Sequence, residues 1–132
     1  MDLSSNVIVL VLVLDEDVGS GLRELANRRE WIVVQIKSID HAIQRVQRLG
    51  PQVVIIQFAN HLQQAEELIE ALRARWPGVP LIAYSSLHED KIERSVRSAG
   101  VSCYFSGSGG TMLVDQAVDA ILRRNATMAG TK

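Results

Sequence analysis

Five short apolar runs, Val7–Leu14, Trp31–Lys37, Val53–Phe58, Leu81–Ser85 and Val101–Phe105, alternate along this chain with segments of helical periodicity. Several of the runs are continuously apolar rather than alternating. A strand can be so only where both of its faces are covered, as in a parallel sheet. Between the runs, Ile39, Ala42, Ile43, Val46 and Leu49 share one helical face, with Ser38 as N-cap and Gly50-Pro51 as the stop. Leu62, Ala65, Ile69, Leu72 and Trp76 do the same from Asn60 to Pro77-Gly78. Ile92, Val96 and Ala99 form a shorter stripe ending at Gly100. Leu22, Leu25 and Ala26 mark the first helix, and Val114, Ala117, Val118, Ile121 and Leu122 the last.

This alternation predicts an α/β fold of (βα)5 type: an open, doubly wound parallel sheet, flavodoxin-like, with helices on both faces and strand order 2-1-3-4-5. At 132 residues, 47% apolar and 22% charged, the chain has the size of one domain with a full core. Residues 1–125 are read as that domain and 126–132 as a disordered tail or linker. A net charge of −1 with scattered arginines lacks the electrostatic footprint of a nucleic-acid binder. The single Cys103 forms no intramolecular disulfide, and His41, His61 and His88 lack metal-ligand spacing. Val7–Leu14 is too short to span a bilayer and no Lys or Arg precedes it, so it reads as a buried strand of a cytoplasmic protein without membrane contact.

Ligands of such sheets bind at the carboxyl ends of the strands. There the chain carries Asp15-Glu16-Asp17 after the first strand, Gln57 at the end of the third, Ser85-Ser86 after the fourth and Ser106-Gly107-Ser108 after the fifth. With Gly100-Val101-Ser102-Cys103-Tyr104 leading into the fifth strand, the sequence resembles the receiver domains of bacterial two-component response regulators, from about Val7 to Arg124. The intervals from Ser85 to Gly100 and from Gln57 to Leu72-Arg73 match that family without a gap.

In the family, an aspartate at the position of Gln57 attacks a phosphoryl donor. The acidic pair and that aspartate hold Mg2+, and a lysine and a Ser/Thr stabilise the phosphoryl oxygens. The logic is a carboxylate nucleophile, a hard cation with oxygen ligands, and placed donors for developing charge. Here Gln57 replaces the nucleophile and Gly107-Ser108 stand where the family has Lys-Pro. Asn60-His61 and Ala65 replace the usual Met-Pro and later Gly. The resemblance thus implies a degenerate phosphorylation pocket of Asp15, Glu16, Gln57, Ser85 and Gly107, with no catalytic residue. Asp15 and Glu16 are its only metal candidates, weak ones, and no cofactor is expected: Mg2+ binding should be weak or absent.

The expected function is that of a pseudo-receiver, acting without phosphorylation through a protein partner or output domain. The resemblance places contact or homodimerisation on the fourth helix, fifth strand and fifth helix, at Tyr104, Ile92, Val96, Asp115, Asp119 and Arg123. Plain structural roles are expected elsewhere. Ser85 reads as a satisfied strand-end hydroxyl, Tyr104 as a fixed, partly buried aromatic, and Cys103 as a small buried apolar residue. Trp31 and Trp76 read as packing, and Arg28-Arg29 and Arg123-Arg124 as solvated helix ends. Ser106-Gly107-Ser108-Gly109-Gly110 lacks the Lys-Ser/Thr of a nucleotide-binding loop and reads as a flexible strand-to-helix turn.

Two alternatives stand beside this reading. One is a receiver that still binds metal or takes phosphate at another residue, such as Asp15 or Ser85. The other is a flavodoxin-like cofactor carrier. It is disfavoured because Asp15-Glu16-Asp17 would repel the phosphate of FMN and no Asp-x-His-x-x-Gly cobalamin motif follows a strand.

Overall fold

The five apolar runs each contribute a strand, and the computed structural model, which describes residues 7–15, 21–87 and 89–130, brings these strands together in one sheet. The strands are β1 (Val9–Val13), β2 (Ile32–Gln35), β3 (Val53–Phe58), β4 (Leu81–Ser85) and β5 (Cys103–Ser106). The helices are α1 (Leu22–Arg29), α2 (Ile39–Leu49), α3 (Leu62–Arg75), α4 (Asp90–Ala99) and α5 (Gly107–Gly130). All strand pairs are parallel, in the order β2-β1-β3-β4-β5 that the sequence predicts.

The sheet splits the core into two layers, because successive strand residues point to opposite faces. Leu10, Leu12, Val54, Ile56 and Phe58 pack with α2, α3 and α4. Val9, Val11, Val13, Val53 and Ile55 pack with α1 and α5. The three central strands are buried at every position, which explains their unbroken apolar runs. By contrast β2, on the edge, is half open.

Local signals set the helix ends. Ser38 Oγ accepts the His41 N–H at 3.1 Å, and Gly50, at φ 58°, turns the chain out of α2. The C-terminal end of α3 is held differently. Arg73 donates from Nε and Nη2 to the Gly100 carbonyl (3.0 and 2.8 Å) and from Nη1 to Pro77 and Val79 carbonyls (2.8 and 3.0 Å). One guanidinium thereby ties α3 and the approach to β4 to the end of α4.

Two expectations change at the last helix. The flexible turn expected at residues 106–110 is not formed: β5 ends at Ser106 and α5 starts at Gly107. The helix also runs on through residues 126–130, which the composition sets apart as tail. Among the described residues no helix is long and apolar enough to cross a membrane.

Candidate functional site

Parallel register brings the ends of β1, β3 and β4 level, with Val13 paired to Gln57 and Gln57 to Tyr84. Gln57 is only 4% exposed, and its backbone carbonyl accepts the Leu14 N–H at 2.9 Å. The strand thus delivers a neutral amide to the point of the sheet where a nucleophile would sit. A primary amide lacks the carboxylate oxygen that forms an acyl phosphate.

Asp15 follows β1 and turns towards the β3–α3 connection. Its Oδ2 accepts the Asn60 N–H at 3.0 Å and lies 2.5 Å from His61 Nδ1. Because a carboxylate only accepts, that ring nitrogen is the donor. Asp15 Oδ1 is buried and has no hydrogen-bond partner among the described residues. Glu16 and Asp17 lie outside the described residues.

Mg2+ demands near-octahedral oxygen coordination and is usually held through carboxylates. The described residues bring no three His, Cys, Asp or Glu side chains together in a metal-binding group. One oxygen of Asp15 is already used by two N–H donors, and its neighbour on β3 is an amide. Glu16, the other expected ligand, lies outside the described residues, and the second oxygen of Asp15 has no hydrogen-bond partner among them.

Ser85 is fully buried, and its Oγ accepts the Leu87 N–H at 3.2 Å, the satisfied strand-end hydroxyl the sequence suggests. Tyr104 is turned inward at 7% exposure, with its hydroxyl in a long 3.4 Å contact to the Leu87 carbonyl. Burial pushes its phenol pKa up, against the opposing pull of hydrogen bonds with Ser106 and Ser85.

Tyr84 is the residue that sequence reasoning misses. It is fully buried, and its hydroxyl donates to the Gly107 carbonyl at 2.7 Å. A Cβ on Gly110 would lie 3.1 Å from the Tyr84 ring. Gly107 itself has φ +72°, a left-handed conformation costly for other residues. The glycine-rich run therefore makes room for an aromatic ring. The only signal in the sequence is a tyrosine within an aliphatic strand, followed far along the chain by several glycines.

No protein-family model matches the chain, and no curated protein sequence does. Solved structures do. The BeF3-activated N-terminal receiver domain of Klebsiella pneumoniae RstA superposes with a TM-score of 0.70 at 22% identity, over 87% of this chain and 98% of that one. A LuxR-family two-component response regulator from Aurantimonas gives 0.70 at 21%, over 89% and 86%. The CheY-like protein tadZ from Pseudomonas aeruginosa gives 0.70 at 14%, over 85% and 98%. The chain has the response-regulator receiver fold.

Within that receiver fold, the residues expected to form a contact face are mostly placed elsewhere. Ile92 and Val96 (7% and 0% exposed) are core residues together with Tyr104, because the apolar stripe of α4 faces the sheet. Asp115 pairs with Arg29 of α1 at 2.7 Å, so that flank of α5 turns away from β5. Asp115 raises the pKa of Arg29, first by the hydrogen bond and then by its charge, so Arg29 is not merely a solvated helix end. Asp119 and Arg123 pair with each other at the surface. What the β5 side of α5 presents is a groove lined by Ser102, Cys103, Ala117, Ala120, Ile121 and Arg124, and Cys103 is half-buried there rather than buried. Leu113 is 47% exposed.

Proposed function

We infer that this chain is a pseudo-receiver, a non-catalytic signalling domain that works without phosphorylation and through contacts with a protein partner or output domain. The observation that carries this reading is the buried amide of Gln57 at the end of β3, level with Val13 and Tyr84. Three further features support it. Gly107 offers no cation to a phosphoryl group, Asp15 is engaged by Asn60 and His61, and the Ser85 hydroxyl already accepts a backbone N–H. Asp15 Oδ2 and Ser85 Oγ thus already have partners within the chain, while Asp15 Oδ1 has none among the described residues. For docking, the reading favours the β5 edge with the groove beside it, where Ala117 and Ala120 leave room for a partner's side chains.

Mg2+ binding is expected to be weak or absent, since an anionic ligand has become an amide and Asp15 has other partners. Amide NMR tests both points. The Asn60 and Leu87 amides report directly on Asp15 and Ser85. Neither is expected to shift saturably with Mg2+ below about 1 mM, a level that a working carboxylate site reaches, or with beryllofluoride added to it. Saturation of either amide in that range would overturn the reading.

A further inference from the structure

The exposed face of α2 carries Arg45 and Arg48, and the exposed face of the neighbouring α3 carries Glu67 and Glu70. Both helices pack their apolar stripes into the same core layer, so these faces point to the same side of the molecule. Among the described residues none of the four side chains makes an ion pair. A basic and an acidic stripe thus lie side by side without neutralising each other.

Their levels match. Gln35 of β2 and Gln57 of β3 are both in register with Val13. Arg45 and Arg48 follow Gln35 by ten and thirteen positions, and Glu67 and Glu70 follow Gln57 by the same intervals. The two helices run in the same direction from the same edge of a parallel sheet.

We propose that two copies of this chain associate through their α2–α3 faces, about a two-fold axis parallel to the helices, each setting Arg45 and Arg48 against the partner copy's Glu67 and Glu70. A two-fold interface must be self-complementary. An axis parallel to the helices keeps every residue at its height while exchanging left and right, so α2 of one copy meets α3 of the other. Both charge pairs then form twice. Asp40, the one acid on α2, follows Gln35 by five positions and comes level with uncharged Leu62. The large exposed apolar residues, Val7, Ile32, Leu87, Met112 and Leu113, all lie off this face. The contact is therefore polar, weak and salt-sensitive, and it leaves β5 and its groove free for another protein. It is independent of whether the pocket accepts phosphate.

Charge exchange tests it. The wild-type chain is expected to dimerise in sedimentation equilibrium at about 20 mM salt and to weaken at least tenfold at about 500 mM, where screening shortens the reach of surface charges. Arg45→Glu with Arg48→Glu yields a monomer, and so does Glu67→Arg with Glu70→Arg, since each then opposes like charges. An equimolar mixture of the two variants restores a dimer, because both helix pairs are again opposite in sign. All four positions are exposed, so unchanged circular dichroism is expected of each variant. A wild-type monomer at low salt, a dimer that survives either reversal, or a mixture that stays monomeric overturns the proposal.

Discussion

Replacing Arg73 by methionine is expected to cost about 2–4 kcal/mol of folding stability, from charge-assisted hydrogen bonds worth about 1.5–3 kcal/mol each that are only partly replaced by water. Methionine keeps much of the aliphatic stem but leaves the Gly100, Pro77 and Val79 carbonyls without their donor. A chain of this size loses roughly 3–4 °C in Tm per kcal/mol, so a fall of about 10 °C is expected. Arg73→Lys should recover less than half of it, because an ammonium is a point charge that cannot present the planar fork. The close approach adds specificity: a Cβ on Gly100 would lie 3.2 Å from Arg73 Cγ. Thermal and urea melts of the two variants check this. An Arg73→Met loss below about 0.5 kcal/mol, the range of ordinary surface changes, would show that the guanidinium holds nothing.

The second large effect concerns Gln57→Asp, the change that would nominally restore a phosphorylation site. It is expected not to do so. The introduced carboxylate would sit at a 4% exposed position, level with Val13 and two residues from Asp15, with a glycine where the family has its lysine. Burial and a like charge both disfavour its ionised form and raise its pKa in the folded state. An acid with a raised folded pKa keeps its proton in the native state while the unfolded chain has lost it, so stability falls as pH rises above the unfolded value near 4. The cost is expected to be about 2–4 kcal/mol at about pH 8 and to shrink towards about pH 4. Urea melts of variant and parent at both pH values read it directly. An equal difference at both would contradict the electrostatic account, and ready phosphorylation of the variant would show that Gly107 matters less than argued. Adding Gly107→Lys brings its own cost, since φ there is +72°.

The fold was legible because its determinants are local. The unbroken runs Val53–Ile56 and Val9–Val13 announce strands covered on both faces, and Ser38 and Gly50 bound α2 as capping chemistry requires. The places of Gln57 and Gly107 were legible too, since the end of β3 and the start of α5 hold them where the apolar runs put the strand ends. Less was visible where contacts join distant segments. Tyr84 meets Gly107 and Arg73 meets Gly100 across intervals of 23 and 27 residues, and no local pattern signals either. The burial of Ile92 and Val96, expected on a contact face, was hidden for another reason. Ile92 and Val96 belong to the same stripe that buries α4, so they cannot also face outward, and the rotation of α5 that sends Asp115 to Arg29 depends on packing against α1.

The most direct test of phosphorylation independence is intact mass spectrometry of the wild-type chain after incubation with acetyl phosphate and Mg2+, under conditions that phosphorylate a working receiver. The expected result is an unchanged mass. A covalent phosphoryl adduct on a substantial fraction of the protein, mapped to Asp15, Ser85 or any other residue of the pocket, would contradict it.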